Sequence, residues 1–181
     1  MADKIEIFPY DPAWPALFAQ LGATLRQALG HVALRIDHIG STSVPGLDAK
    51  PVIDVQIAVA SLAPLDAFRV PLTQLGYVFR AENPELTKRY FREAPGQRRT
   101  HIHVRKEGSW AQQFALLFRD YMRTHPHDAR RYAEVKYGLA TQYGHDRQGY
   151  TEAKTPFIWE TMLKADRWSQ VVGWEPGPSD A

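Results

Sequence analysis

"HIGSTSVPGLDAKPVIDVQI", residues 38–57, reads as the end of one strand, a loop crowded with hydroxyls, glycines and prolines, and the start of a second strand. The second strand decides the fold. Ile53, Val55, Ile57 and Val59 alternate with Asp54 and Gln56, so the aliphatic side chains share one face and the carboxylate sits on the other. A carboxylate in the middle of an Ile/Val-rich strand is costly unless it is paired, hydrated or metal-bound. Gly40 and Ser41, at the exit of the first strand, can offer backbone N–H groups and a hydroxyl to a phosphate.

The flanking chain supplies the rest of a sheet. Residues 4–8 alternate as a short edge strand stopped by Pro9, and residues 32–39 form the strand that enters the loop. Between them, Asp11-Pro12 is an N-cap pattern, and Trp14, Phe18, Leu21, Leu25 and Leu29 mark one helical face ending near Gly30. A second helix is expected over 62–75, kinked or shortened by Pro71. Residues 77–80 read as a strand, and 87–93 with 99–106 as a hairpin around Ala94-Pro95-Gly96-Gln97. Helices follow at 109–124, 128–143 and about 151–168, where Trp110, Phe114, Phe118 and Tyr121 recur at core spacing. The expectation is an α/β (α+β) mixed sheet with flanking helices and a helical C-terminal third. One domain covers 1–174, helical from about 109, and 175–181 form a loose tail.

Composition narrows the function. The chain has 181 residues, 44% hydrophobic and 23% charged, which suits one globular domain. A net charge of +2 argues against nucleic acid as a partner, although arginines and lysines crowd residues 80–106. With no cysteine there are no disulfides, thiolate metal sites or cysteine nucleophiles. The start MADKIEIFPY lacks a signal-peptide core, and no apolar run approaches the roughly 18 residues needed to span a bilayer. The cytoplasm is the expected location.

The run HIGSTSVPGL (38–47), continued by AKP (49–51) and IDV (53–55), resembles the signature of the GrpB-like family. The resemblance extends to HIHV (101–104), RDY (119–121), HP (125–126), and YT (150–151) with Lys154, nearly the whole chain. That family is placed in the nucleotidyltransferase superfamily, with members fused to dephospho-coenzyme A kinase. The resemblance implies a polymerase-beta-like core in which Gly40, Ser41, Thr42 and Ser43 hold a triphosphate and Asp54 holds divalent metal. It departs from the superfamily pattern at Gln56, where a second carboxylate is expected, and this weakens two-metal chemistry. The strand that would carry the third carboxylate offers His101 and His103 on one face.

Asp54 with two imidazoles favours Mn²⁺ or Zn²⁺ over Mg²⁺, and a solvated or core-capping histidine pair is the other reading of HxH. Lys50, Arg99 and Arg105 are the candidate phosphate contacts on the sheet, and Lys154 closes the cleft from the C-terminal side. Arg119, Asp120 and Arg123 read as a salt-bridge set on a helix. Three functions remain open. The first is metal-dependent transfer of a nucleotidyl group from a nucleoside triphosphate, with Asp54 central. The second is non-catalytic binding of a nucleotide or other phosphorylated small molecule, and the third a metal-dependent phosphohydrolase.

Overall fold

The alternation at 53–59 is realised as a strand, β2 (Ile53–Val59), near the centre of a five-stranded sheet. A computed structural model describes residues 4–181. The other strands are β1 (Arg35–Ile39), β3 (Tyr77–Phe79), β4 (Lys88–Glu93) and β5 (Thr100–Lys106). Their order is β1-β2-β5-β4-β3, with β2 and β5 parallel and the remaining pairs antiparallel. A parallel pair cannot be closed by a tight turn. The crossover from β2 to β5 therefore contains the second helix and the β3–β4 hairpin.

Helices α1 (Trp14–Leu29) and α2 (Asp66–Gln74) cover one face of the sheet. Trp14, Phe18, Leu25, Phe68 and Leu72 pack there against Ile53, Val55, Ile57, Ile102 and Val104. Each such fully buried aliphatic side chain contributes about 1.5–3 kcal/mol. Pro71 lies inside α2 without ending it. The opposite face carries the polar residues and is overlain by α3 (Trp110–Thr124), behind which lie α4 (Pro126–Tyr143), α5 (Arg147–Ala153) and α6 (Thr155–Val172). The helix expected at 151–168 is thus two helices. Pro156 occupies the first turn of α6, where a missing N–H costs nothing, and the break falls at Lys154.

Two expectations at the ends of the chain are corrected. Residues 4–8 form no strand beyond a single bridge from Phe8 to Ala49, and Ile5 instead donates its N–H to Gly144. The tail at 175–181 is not loose. It runs beside β1, where Ile36 N–H donates to Ser179 Oγ (2.8 Å) and His38 N–H to Asp180 Oδ2 (2.9 Å). Ala181 N–H donates to the Ile36 carbonyl (3.1 Å), and Arg119 Nη1 donates to Asp180 at 2.8 Å. Proline and glycine made this stretch look unstructured, but its serine and aspartate satisfy the outward-facing groups of an edge strand. No helix among the described residues is long and apolar enough to cross a membrane.

Candidate functional site

The parallel register sets Asp54 beside His101 and Gln56 beside His103, all on the polar face. Asp54 Oδ1 lies 3.1 Å from His101 Nδ1 and 3.7 Å from His103 Nε2. All three donor atoms fall within 4.8 Å of one another. An ion with bonds of about 2.1 Å holds neighbouring ligand atoms roughly 3.0–3.4 Å apart, so Asp54 and His101 are spaced for a small divalent cation and His103 joins them by closing a few tenths of an ångström. Burial pushes the Asp54 carboxyl up, but the neighbouring imidazoles of His101 and His103 outweigh it and hold the group below the usual carboxylate range. Burial also pulls His103 down to about 4, which leaves its imidazole neutral near pH 7 and its lone pair available to a metal. The outer nitrogens, His101 Nε2 and His103 Nδ1, are buried without the carbonyl or carboxylate partner that commonly orients a ligating imidazole.

Gln56 does not join this set. Its Oε1 accepts from Arg105 Nη1 at 2.8 Å, and its Nε2 donates to the Gln112 carbonyl at 3.2 Å. The amide therefore ties β5 and α3 to β2, and among the described residues Asp54 is the one carboxylate of the candidate metal set.

The loop after β1 turns at Gly40, whose φ of +72° lies in the region that glycine alone adopts readily. Thr42 and Ser43 spend their hydroxyls on the loop itself. Thr42 Oγ1 donates to the Val52 carbonyl (3.0 Å) and meets His38 Nε2 (3.0 Å), while Ser43 Oγ donates to the Gly40 carbonyl (2.6 Å). Val44 and Leu47 anchor the loop among Met122, Ala129, Tyr132 and Phe157, and Arg123 Nε donates to the Ser43 carbonyl. Ser41 lines the cavity in front of Asp54.

That cavity, about 340 Å³, is walled by Asp54, His101, His103, Ser41, Tyr150 and the lysines Lys50, Lys136 and Lys154. Lys50 and Lys154 flank the Tyr150 ring, with Nζ at 4.8 Å and 4.7 Å from its centroid. Burial lowers all three ammonium groups, Lys50 to about 8 and Lys136 to about 7, and the charge of Lys154 adds to the effect on both. Three ammonium groups held close together in one cavity have the charge to attract an anion. Lys136, on α4, was absent from the sequence reading, because a single lysine on an amphipathic helix reads as solvated. Its Nζ reaches the Asp48 carbonyl, and its position opposite the loop comes only from folding.

The arginines divide differently. Arg99 precedes β5, has a buried and unpartnered Nη2, and helps to depress Lys50. Arg105 faces away from the lysines, into a second cavity, where Nη2 lies 3.3 Å from Glu85. Arg119 and Asp120 do form a salt bridge, at 2.7 Å. Trp110 is not core: 67% of it is exposed, at the mouth of that second cavity.

Residues 4–164 match the sequence model of the family described as GrpB protein. A UPF0157 protein of Pseudomonas aeruginosa is 45% identical over 167 residues, which span 90% of this chain and 68% of that protein. UPF0157 protein YqkA of Bacillus subtilis is 35% identical, covering 92% of this chain and 49% of that one. A dephospho-CoA kinase of Mycolicibacterium paratuberculosis is 34% identical, covering 95% of this chain and 48% of the kinase. The chain thus spans about half the length of these last two relatives. Among solved structures, the conserved protein GrpB of Enterococcus faecalis superposes with a TM-score of 0.82 at 31% identity, covering 90% of this chain and 99% of that one. The RNA-product complex of Cid1 superposes at 0.51 with 15% identity, covering 75% of this chain and 43% of that one, a likeness of fold alone. On the match of its sequence and of its structure, this chain belongs to the GrpB family.

Proposed function

We propose that this chain binds a nucleoside triphosphate together with a divalent metal and transfers its nucleotidyl group to an acceptor. One observation carries the reading: the metal-donor cluster Asp54, His101 and His103 opens into the same cavity as Ser41 and the three lysines. A divalent ion held there supplies charge stabilisation for the triphosphate and for the pyrophosphate that leaves. Lys50, Lys136 and Lys154 hold the β- and γ-phosphates, gaining strength from their partial burial. Ser41 and the loop backbone orient the phosphate chain, as the glycine-led turn permits. The carboxylate-poor donor set favours Mn²⁺ or Zn²⁺ over Mg²⁺. The fold-level likeness to nucleotidyltransferases supports the assignment by analogy only.

The test is pyrophosphate release from each nucleoside triphosphate with Mn²⁺, Zn²⁺ or Mg²⁺, using a cell extract as the source of acceptor. Release should depend on Mn²⁺ or Zn²⁺ and vanish in His101→Ala and His103→Ala. Mg²⁺-driven release that survives loss of both histidines refutes the histidine-ligand mechanism, and no release with any metal or acceptor refutes the transfer.

The second reading, a non-catalytic binder of nucleotides or related phosphorylated metabolites, is favoured by Gln56, whose oxygen is committed to Arg105. The similarity to dephospho-CoA kinases supports a coenzyme A-related ligand in that case. No release with any metal or acceptor, alongside metal-dependent triphosphate binding, selects it.

A further inference from the structure

Asp54 and His103 line two cavities, not one. The second, about 440 Å³, lies between the sheet and helices α3 and α6. Its inner end holds Gly40, Asp54, His103 and Arg105, and its outer end Trp110, Phe114 and Trp159. Trp110 and Trp159 are 67% and 50% exposed, yet their rings stack on each other, with centroids 6.0 Å apart and planes 24° from parallel. Phe114 abuts Trp110 at 4.9 Å. Two exposed indoles gathered at the mouth of a cavity form an apolar patch of the kind that marks an interaction site. They offer π-faces to a flat ring. The volume falls in the small-molecule range of about 300–1,000 Å³.

The inner end is polar. Arg105, only 9% exposed, is braced by Gln56 and Glu85 in the wall next to His103. The cavity therefore suits a molecule with a flat apolar body outside and a polar group inside, within reach of Asp54.

In phosphoryl transfer the attacking and leaving oxygens lie roughly in line on opposite sides of phosphorus. The leaving polyphosphate belongs with the lysines, and the other cavity bordered by Asp54 and His103 is the aromatic one. We infer that the aromatic cavity is the acceptor subsite, taking a small alcohol carried on a flat aromatic or heteroaromatic body. The reaction rests on the nucleotidyl-transfer reading; the binding does not. In the reaction, the alcohol oxygen forms a bond to the α-phosphorus. The α–β bridging P–O bond breaks with its electron pair leaving on pyrophosphate, and the hydroxyl proton passes to a solvent water in the adjoining lysine-lined cavity.

The experiment has two arms on the full chain. In the first, saturation-transfer NMR follows tryptophol, 2-phenylethanol and the four common ribonucleosides, without metal or triphosphate, on wild type, Trp110→Ala and Trp159→Ala. Both tryptophans are half exposed or more, so the variants are expected to fold, with circular dichroism as the check. In the second, calorimetry compares nucleoside triphosphates with inorganic tripolyphosphate on the same proteins. At least one flat alcohol should bind wild type and lose about tenfold in affinity in each variant, as stacking energies imply. The variants should leave triphosphate and tripolyphosphate binding alike. Loss of nucleoside triphosphate affinity with tripolyphosphate unchanged makes the cavity a nucleobase pocket and overturns the inference. So does the absence of any bound alcohol. Because the first arm uses neither metal nor phosphate, failure of the phosphate site leaves its answer intact.

Discussion

Gly40 lies so close to Asp54 that a Cβ on it would sit 2.5 Å from Asp54 Oδ2 and 2.9 Å from the Asp54 Cβ. The two face each other because Ile39 pairs with Asp54 across the antiparallel β1–β2 ladder, and Gly40 turns away at the next residue. Gly40→Ala meets both a backbone penalty and a displaced carboxylate. It should destabilise the chain by about 1–3 kcal/mol and abolish Mn²⁺ binding. Thermal melts with and without Mn²⁺ check this, and a variant with unaltered Mn²⁺ affinity removes Asp54 from the metal site.

Asp54→Asn should lower the stability of the metal-free chain by about 1 kcal/mol, since the part-exposed carboxylate is hydrogen-bonded to His101 and lies 3.7 Å from His103 rather than unpaired. The stabilisation that Mn²⁺ gives wild type should disappear altogether. A fall in melting temperature with metal stabilisation retained shows that the aspartate only braces the histidines.

Polyphosphate binding should weaken as pH rises. Burial sets Lys136 to about 7 and Lys50 to about 8, against an ordinary lysine value near 10.5 in the unfolded chain. Between about pH 7 and 10.5 the unfolded state holds more protons, so the ligand-free fold gains stability with pH over that window. A bound anion favours the ammonium form, so binding takes up protons and loses affinity from pH 7 to pH 9.5. Calorimetry with inorganic tripolyphosphate in buffers of different ionisation enthalpy measures both effects. Lys136→Met should flatten the lower part of the profile, and an affinity constant over the whole range contradicts the lysine site.

Gln56→Asp restores a carboxylate at the position where the superfamily pattern expects one, yet it should not create a second metal ligand. The new side chain meets Arg105, which already lies 2.8 Å from Gln56 Oε1, and the bond from the Gln56 amide to the Gln112 carbonyl is lost. We expect a loss of about 1 kcal/mol in stability from that missing hydrogen bond and little change in Mn²⁺ affinity. A marked gain in Mn²⁺ affinity indicates that the carboxylate escapes Arg105.

The five strands of the sheet were legible in the sequence because a half-buried sheet imposes period two, as Ile53, Val55 and Ile57 against Asp54 and Gln56 display, whereas residues 4–8 alternate without joining the sheet. The same period put His101 and His103 on one face, and the register then placed them beside Asp54. Lys136 and the aromatic cavity were not legible. Both depend on which helix lies over which strand, and helical periodicity gives a face without naming its neighbour. Trp110 and Phe114 have the spacing of core residues, and only the placement of α6 turns them into the wall of a cavity. Gln56 was noticed for the charge it lacks, whereas its role comes from Arg105, forty-nine residues away in the chain.

The segment that runs beside β1 has a bearing on solubility. An uncovered edge strand offers unpaired N–H and C=O groups as a template for strand addition by another molecule. Ser179, Asp180 and Ala181 occupy that template at Ile36 and His38, and Arg26 and Arg119 fasten them at the Ala181 carbonyl and the Asp180 carboxylate. The opposite edge is only the three residues Tyr77–Phe79, too short to recruit a partner strand. These few residues therefore act as a built-in guard against edge-to-edge aggregation, and trimming them exposes β1 to other copies of the chain.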